Sequence, residues 1–211
     1  MSDPTFPTSR TIVLASANSH KISEFRRIFA GSSITLTSPL ELDSVIEVLE
    51  TGASYQENAR FKALAYALDC ELWALGDDSG LEIDALDGAP GIHSHRFAGD
   101  GASDADRNLR VLELMRGIPI SRRSACYRCA ITIAEPSGTV VYETQAEVAG
   151  SIGFEDRGTT GFGYDPLFIT SNNQRTMAEI GDVEKDVISH RGQAGRAARS
   201  FLEGILTCAD Q

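Results

Sequence analysis

Thr11-Ile-Val-Leu-Ala-Ser-Ala-Asn-Ser-His-Lys-Ile-Ser-Glu-Phe-Arg-Arg-Ile-Phe29 changes its structural period midway. Thr11 to Ala15 is a short apolar run of β character. From Ile22 onward, Ile22, Phe25 and Phe29 recur at the spacing of one helix face. Between them, Ser16-Ala-Asn-Ser supplies small polar residues that cap a helix start, with Asn18 or Ser19 as the N-cap. A helix start also attracts anions, because its first amides lack internal partners and its dipole is positive there. Lys21, in the first turn, adds a point charge suited to a phosphate. The plainer alternative is a capped helix with a solvated lysine. The spacing of a Walker A loop is missing, so this is not a P-loop.

Working outward, residues 31 to 53 read as irregular, with turns at Ser38-Pro39 and Thr51-Gly52. Ser54-Tyr-Gln-Glu57 has the capping-box pattern and opens a helix through Phe61, Leu64, Ala65 and Leu68. Leu72 to Asp78 reads as a strand that breaks at a Ser79-Gly80 turn before a second short strand, Leu81 to Ala85. Ser103-Asp-Ala-Asp106 caps a helix with Leu109, Leu112 and Met115 as its apolar stripe. Ser124 to Glu135 and Thr139 to Val148 flank Pro136-Ser-Gly138 as a long hairpin. Leu167-Phe-Ile169 is a brief strand, and Ala194, Ala198, Phe201, Leu202 and Ile205 mark a C-terminal helix. The pattern is α/β with an antiparallel portion, without repeats or a linker.

The chain has 211 residues, enough for one large domain or two small lobes sharing a sheet, and 42% of them are hydrophobic. A net charge of −11 argues against nucleic-acid and anionic-membrane partners, which select basic surfaces. No apolar run reaches membrane-spanning length. Residues 1 to 10 are polar, hold two prolines and read as a loose tail before a single domain over 11 to 211. Lacking the apolar core of a signal peptide, they point to a cytoplasmic protein. Cys126 and Cys129 have CxxC spacing, but an offset of three puts them on opposite faces of a strand. They read, with Cys70 and Cys208, as reduced thiols.

Four places could carry chemistry. The helix start at Ser16 to Lys21 is one. Asp77-Asp78, at the end of a buried strand, is the second. Adjacent buried carboxylates are costly unless they meet a cation or a substrate, and hard oxygens suit Mg²⁺. On a strand the two side chains point to opposite faces, so one can work while the other supports; an Asp turn is the alternative. Glu47, Glu50 and Glu57 are further acids. The third is Gly158-Thr-Thr-Gly-Phe-Gly-Tyr-Asp-Pro166, where glycine permits close backbone approach and Phe162 or Tyr164 can stack on a base. The fourth is a helix carrying Lys185 and ending in His190-Arg191, a local basic cluster in an acidic protein. His93 and His95 read as structural or surface residues.

Six elements in one order, Ser16-x-Asn18-x-x-Lys21, Glu50-Thr-Gly with Glu57-Asn-Ala59, Asp77-Asp-Ser-Gly-Leu81, Pro90-Gly-Ile92 with Ser94 and Arg96, Gly161-Phe-Gly-Tyr-Asp-Pro166 and Ser189-His-Arg191, span residues 11 to 200. Together they resemble the inosine triphosphate pyrophosphatase family. The resemblance implies an elongated, two-lobed α/β fold, a mixed sheet flanked by helices with the nucleotide cleft between lobes, and a homodimer. It implies Mg²⁺-dependent hydrolysis of ITP, dITP and XTP to the monophosphate and pyrophosphate. Ser16, Ala17, Asn18, Ser19, His20 and Lys21 would hold the triphosphate. Asp78 would accept the proton and ligate the metal with Glu50, Glu47 standing in reserve and Asp77 supporting. Ser79, Phe162, Gly163, Tyr164, Asp165, Lys185, His190 and Arg191 would hold the substrate, the last ones recognising the base. The chain departs from the family at Ala17, where Gly is frequent, and at Leu49, where a Glu often precedes Glu50.

Two rivals are a septum-inhibition type of nucleotide pyrophosphatase and a nucleotide-binding regulator without turnover. The Ser189-His-Arg191 and Gly161 to Asp165 elements disfavour the first, and intact Lys21 and Asp78 the second.

Overall fold

The computed structural model describes residues 10–171 and 174–209, with the side chains of residues 208 and 209 outside the description. The expected tail therefore falls outside it apart from Arg10, as does the Cys208 thiol. Six strands form one mixed sheet: β1 (Thr11–Leu14), β2 (Thr35–Thr37), β3 (Ala74–Ile83), β4 (Ser124–Ala134), β5 (Val140–Ile152) and β6 (Phe168–Thr170). Their order is β2-β1-β3-β4-β5-β6. β1 is parallel to β2, with Ile12 opposite Leu36, and parallel to β3, with Val13 opposite Ala74. β6 runs antiparallel to β5, with Ser151 opposite Ile169. The short Pro136-Ser-Gly138 connection makes β4 and β5 the expected hairpin. The helices are α1 (Ser19–Ile28), α2 (Tyr55–Cys70), α3 (Asp104–Leu114), α4 (Asp182–Ile188) and α5 (His190–Ala209). None of the helices described is long and apolar enough to cross a membrane. The α/β reading and the mixed, helix-flanked sheet are borne out.

The chain divides into two compact units, and β3, β4 and β5 each give residues to both. Of the described residues, the first unit holds 10–78, 129–146 and 191–209. Its core joins Phe25 and Ile28 of α1 with Ile12, Leu14, Leu75 and Ile131 of the sheet and Ala194, Ala198 and Leu202 of α5. Each large apolar side chain buried so fully contributes about 1.5–3 kcal/mol. Of the described residues, the second unit holds 79–128, 147–171 and 174–190. Its core is Leu81, Ile83, Val111, Met115, Tyr127, Tyr164, Leu167 and Phe168.

Five expectations change. The stretch read as irregular contains β2, because Leu36 finds a buried place beside β1. Ser79-Gly80 is no turn: β3 runs unbroken through it, its backbone held by strand pairing. Helix α2 buries Asn58, Ala59, Lys62, Ala63, Tyr66 and Ala67 and leaves Phe61 and Leu68 40% and 69% exposed. The reason is distance: a Cβ on Gly76 of β3 would stand 2.1 Å from the Ala59 carbonyl oxygen. At such an approach alanines fit and Phe61 and Leu68 do not. Likewise, α3 buries Arg107, Asn108 and Val111 and turns Leu109 outward, while Met115 at its C-cap is buried as expected. Finally, Lys185 and His190 lie on different helices, since Ser189 is extended and His190 opens α5.

Candidate active site

In the first unit, strand β1 delivers the chain to the start of α1. Asn18 is the N-cap: its Oδ1 accepts from the amides of His20 (2.9 Å) and Lys21 (3.2 Å). Ser16 Oγ in turn accepts from the Asn18 amide at 3.2 Å. The cap thus uses two of the amides expected to face an anion. The Lys21 ammonium is half-buried and ion-paired rather than a freely solvated charge. It lies 2.5 Å from Asp77 Oδ1.

Strand alternation divides the aspartate pair as expected, and both are buried. Asp77 meets Lys21, the Arg191 Nε at 3.4 Å and the Cys129 thiol, which donates to Oδ2 at 3.2 Å. Arg191 also donates to Glu24 of α1 at 2.7 Å. Burial alone would push the Asp77 carboxyl up, but Lys21 and Arg191 outweigh it and hold Asp77 well below the carboxylate range. Burial, with the Asp77 charge added, pushes the Cys129 thiol well up, so it stays protonated. Cys126, Cys129 and Cys70 are all free thiols, as read.

On the other face, Asp78 accepts from Asn58 Nδ2 at 3.1 Å and faces Lys62 Nζ at 3.4 Å. The same ammonium binds Glu50 Oε1 at 2.7 Å. The Asn58 Oδ1 takes the Gly52 amide at 2.8 Å, tying the strand to the loop that carries Glu50. Here burial wins for Asp78 and raises its affinity for a proton, although Lys62 and Lys21 oppose it. Burial also pushes Glu50 up, but Lys62 and Lys21 bring it below its ordinary value. Lys62, facing two carboxylates, is raised despite its own burial. Glu47 is exposed and joins none of these bonds.

Three cations (Lys21, Lys62, Arg191) therefore face four carboxylates (Glu24, Glu50, Asp77, Asp78), a net charge of minus one. Among the described residues, three or more acids, His or Cys nowhere gather into a metal cage. Two carboxylates with an excess of negative charge instead fit a Mg²⁺-like ion, which commonly takes one or two carboxylates plus substrate oxygens.

In the second unit, Asp165 is the hub. Its Oδ2 accepts from Lys185 Nζ at 2.5 Å and from the Phe162 amide at 2.9 Å. Gly161, at φ +75°, is needed there: its Cβ would lie 2.1 Å from that same oxygen. Lys185 Nζ also sits 4.9 Å from the centre of the Phe162 ring, a cation–π contact. The Gly163 amide donates to Asp104 of α3 at 2.7 Å, and the Tyr164 hydroxyl donates to the Ser94 carbonyl at 2.8 Å. Ser94 Oγ accepts from the Leu81 amide and donates to the Gly91 carbonyl, pinning the 91–96 turn to β3. Lys185, His190 and Arg191 are all buried rather than forming a solvated helix end. Ser79 follows Asp78 on β3 and is half-buried; His93 and His95 are exposed.

Sequence reasoning missed Lys62 and Glu24, and it held Asn58 only within the Glu57-Asn-Ala59 motif, without a partner. The signal available for Lys62 was its place four residues after Asn58, on the same side of the helix as Ala59 and Ala63.

The model of the Ham1 family matches residues 12–201 of the chain. A dITP/XTP pyrophosphatase of Exiguobacterium sibiricum is 44% identical over 195 residues, covering 92% of this chain and 98% of the relative. One from an Anaeromyxobacter species is 41% identical, covering 92% and 97%. Among solved structures, a HAM1 protein from Coxiella burnetii is 42% identical and superposes with a TM-score of 0.82, covering 91% of this chain and 98% of its own. A nucleoside-triphosphatase, dITP/XTP pyrophosphatase, from Mycobacterium abscessus superposes at 0.71 with 37% identity, covering 89% and 98%.

Proposed function

The chain belongs to the Ham1 family and is a nucleoside triphosphate pyrophosphatase, and we propose that it hydrolyses ITP, dITP and XTP to the monophosphate and pyrophosphate. The observation that carries the chemistry is the buried group Glu50, Lys62 and Asp78, in which carboxylates outnumber the cation. Asp78 and Glu50 would hold Mg²⁺, which when bound supplies charge neutralisation for the phosphates. Asp78, with its raised proton affinity, takes the proton from the attacking water. Asn58 and Lys62 fix its two oxygens.

Lys21 and the start of α1, Ser16 to Ser19 with His20, take the triphosphate. Lys21 is held for that task by Asp77, and the α1 dipole adds to its charge. Ser79, the Phe162 to Asp165 loop, Lys185, His190 and Arg191 take the nucleoside. A 6-oxo purine accepts a hydrogen bond from such donors, whereas adenine's 6-amino group leaves a buried donor unmet, which costs about 1–3 kcal/mol. Arg191, already spent on Glu24 and Asp77, contributes by orienting rather than by a free guanidinium.

The test is pyrophosphate release with Mg²⁺ across ITP, XTP, dITP, GTP and ATP. Preference for the first three is expected; ATP turned over as fast as ITP would overturn the reading. A cytoplasmic homodimer belongs to the same proposal, and light scattering of the purified protein tests the dimer.

A further inference from the structure

We infer that Tyr127 is a positioning residue for base recognition, setting the plane of His190 and the place of Lys185. The inference rests on the assignment of His190, Asp165 and Lys185 to the nucleoside.

Tyr127 lies inside β4 and is 6% exposed. Its ring lies almost flat on the His190 imidazole, with centroids 4.5 Å apart and planes 9° apart. Phe168 of β6 packs on it at 4.5 Å with a 45° tilt, backing the ring from the core. The Tyr127 hydroxyl donates to Asp165 Oδ1 at 3.3 Å. The other oxygen of that carboxylate holds Lys185 Nζ and the Phe162 amide. One side chain therefore joins the first residue of α5, the lysine of α4 and the glycine loop.

Burial of an apolar ring would account for a place in the core, and a leucine could fill it. It does not account for a near-parallel stack on an imidazole or for a hydroxyl turned to the carboxylate that carries Lys185. Both features constrain groups whose use is directional. A donor aimed at a base edge must be placed to within about half an ångström and 10–20°, and its own rotamer must be locked by neighbours. The stack does this for His190, and the hydroxyl does it for Asp165 and, through it, Lys185.

The two features separate in two variants. Tyr127→Phe keeps the ring and its stack but removes the hydroxyl; Tyr127→Leu removes both. Steady-state kinetics with ITP and GTP read the result. Because the base is remote from the reacting phosphorus, lost positioning raises KM and leaves kcat nearly unchanged. Tyr127→Phe is expected to raise KM for ITP about threefold, and Tyr127→Leu about tenfold, with the ITP-over-GTP preference narrowed in the same order. A purely structural role would lower the active fraction, so kcat would fall while KM and the preference stayed at wild-type values; that result overturns the inference. So does a wild-type KM and preference in both variants. Should Tyr127→Leu fail to fold, the near-isosteric Tyr127→Phe still decides. Failure of the underlying reading is visible separately, in the wild-type protein: no preference for ITP there removes both, while a wild-type preference untouched by either variant removes only this one.

Discussion

Replacing Lys62 by methionine keeps the length of the side chain and removes the charge shared by Glu50 and Asp78. In the wild-type protein that ammonium lies 2.7 Å from one carboxylate and 3.4 Å from the other, and it is buried with Asp78. Removing one partner of a buried ion pair costs about 3–5 kcal/mol. Glu50 keeps 33% of its side-chain exposure, so water screens its part, and the lower end, about 3 kcal/mol, is the expected loss. In a chain of this length each 1 kcal/mol moves the melting temperature by roughly 2–4 °C, so Lys62→Met should melt about 6–12 °C early in EDTA. The local charge goes from minus one to minus two, which strengthens the attraction for a divalent cation. Mg²⁺ at a hundredfold excess over its dissociation constant stabilises by about 2.7 kcal/mol, enough to return most of the loss. Thermal unfolding followed by circular dichroism, in EDTA and in Mg²⁺ at matched ionic strength, measures both. The reasoning is refuted if the variant melts with the wild type in EDTA, or if Mg²⁺ raises both proteins equally.

Asp78→Asn should lower kcat by about 10²–10⁴ while calorimetry still detects nucleotide binding; undiminished turnover would remove Asp78 as the proton acceptor. Gly76→Ala places a methyl group 2.1 Å from the Ala59 carbonyl oxygen and 2.7 Å from the Ala63 amide nitrogen, and should cost at least about 1–3 kcal/mol in urea unfolding. An unchanged midpoint would deny the close approach of α2 to β3. Acid should also destabilise the fold through Asp77. Its native pKa is depressed by Lys21 and Arg191, so its contribution is complete above the unfolded carboxyl's pKa near 4 and is lost as pH falls below it toward the native value. The urea midpoint should therefore fall progressively as pH drops below about 4, and that fall should flatten in Asp77→Asn; an equal slope in the variant would count against the pairing.

The elements that could be read from residues alone are those governed by their immediate neighbours. Asn18 accepts amides two and three residues on, Ser103 and Asp106 exchange bonds across one turn, and Pro136-Ser-Gly138 closes a hairpin. Each is a short-range matter, so its pattern is visible in sequence. The failures are the opposite kind. A count of large apolar residues turns Phe61, Leu68 and Leu109 inward, yet all three are exposed while Met115 is buried as expected, because what selects a face is the space left by the facing element. Ser79-Gly80 looks like a turn until β3 continues through it within the sheet.

The same division runs through the site. By itself, the sequence determined that Asp77 and Asp78 follow a buried apolar run, that the two point to opposite sides of a strand, and that a capped helix start precedes them; it put the pair at a strand end, whereas β3 continues to Ile83. It also carried the order of motifs that marks the Ham1 family. Only the tertiary structure decided what each carboxylate meets: Lys21, Arg191 and Cys129 for Asp77, Asn58 and Lys62 for Asp78. It also showed that Glu50 bonds Lys62, whereas Glu47 is exposed. These partners come from α1, α2, β4 and α5, far apart in the chain. Whether a carboxyl holds its proton depends on burial and on charges a few ångströms away, and those distances exist only once the chain has folded.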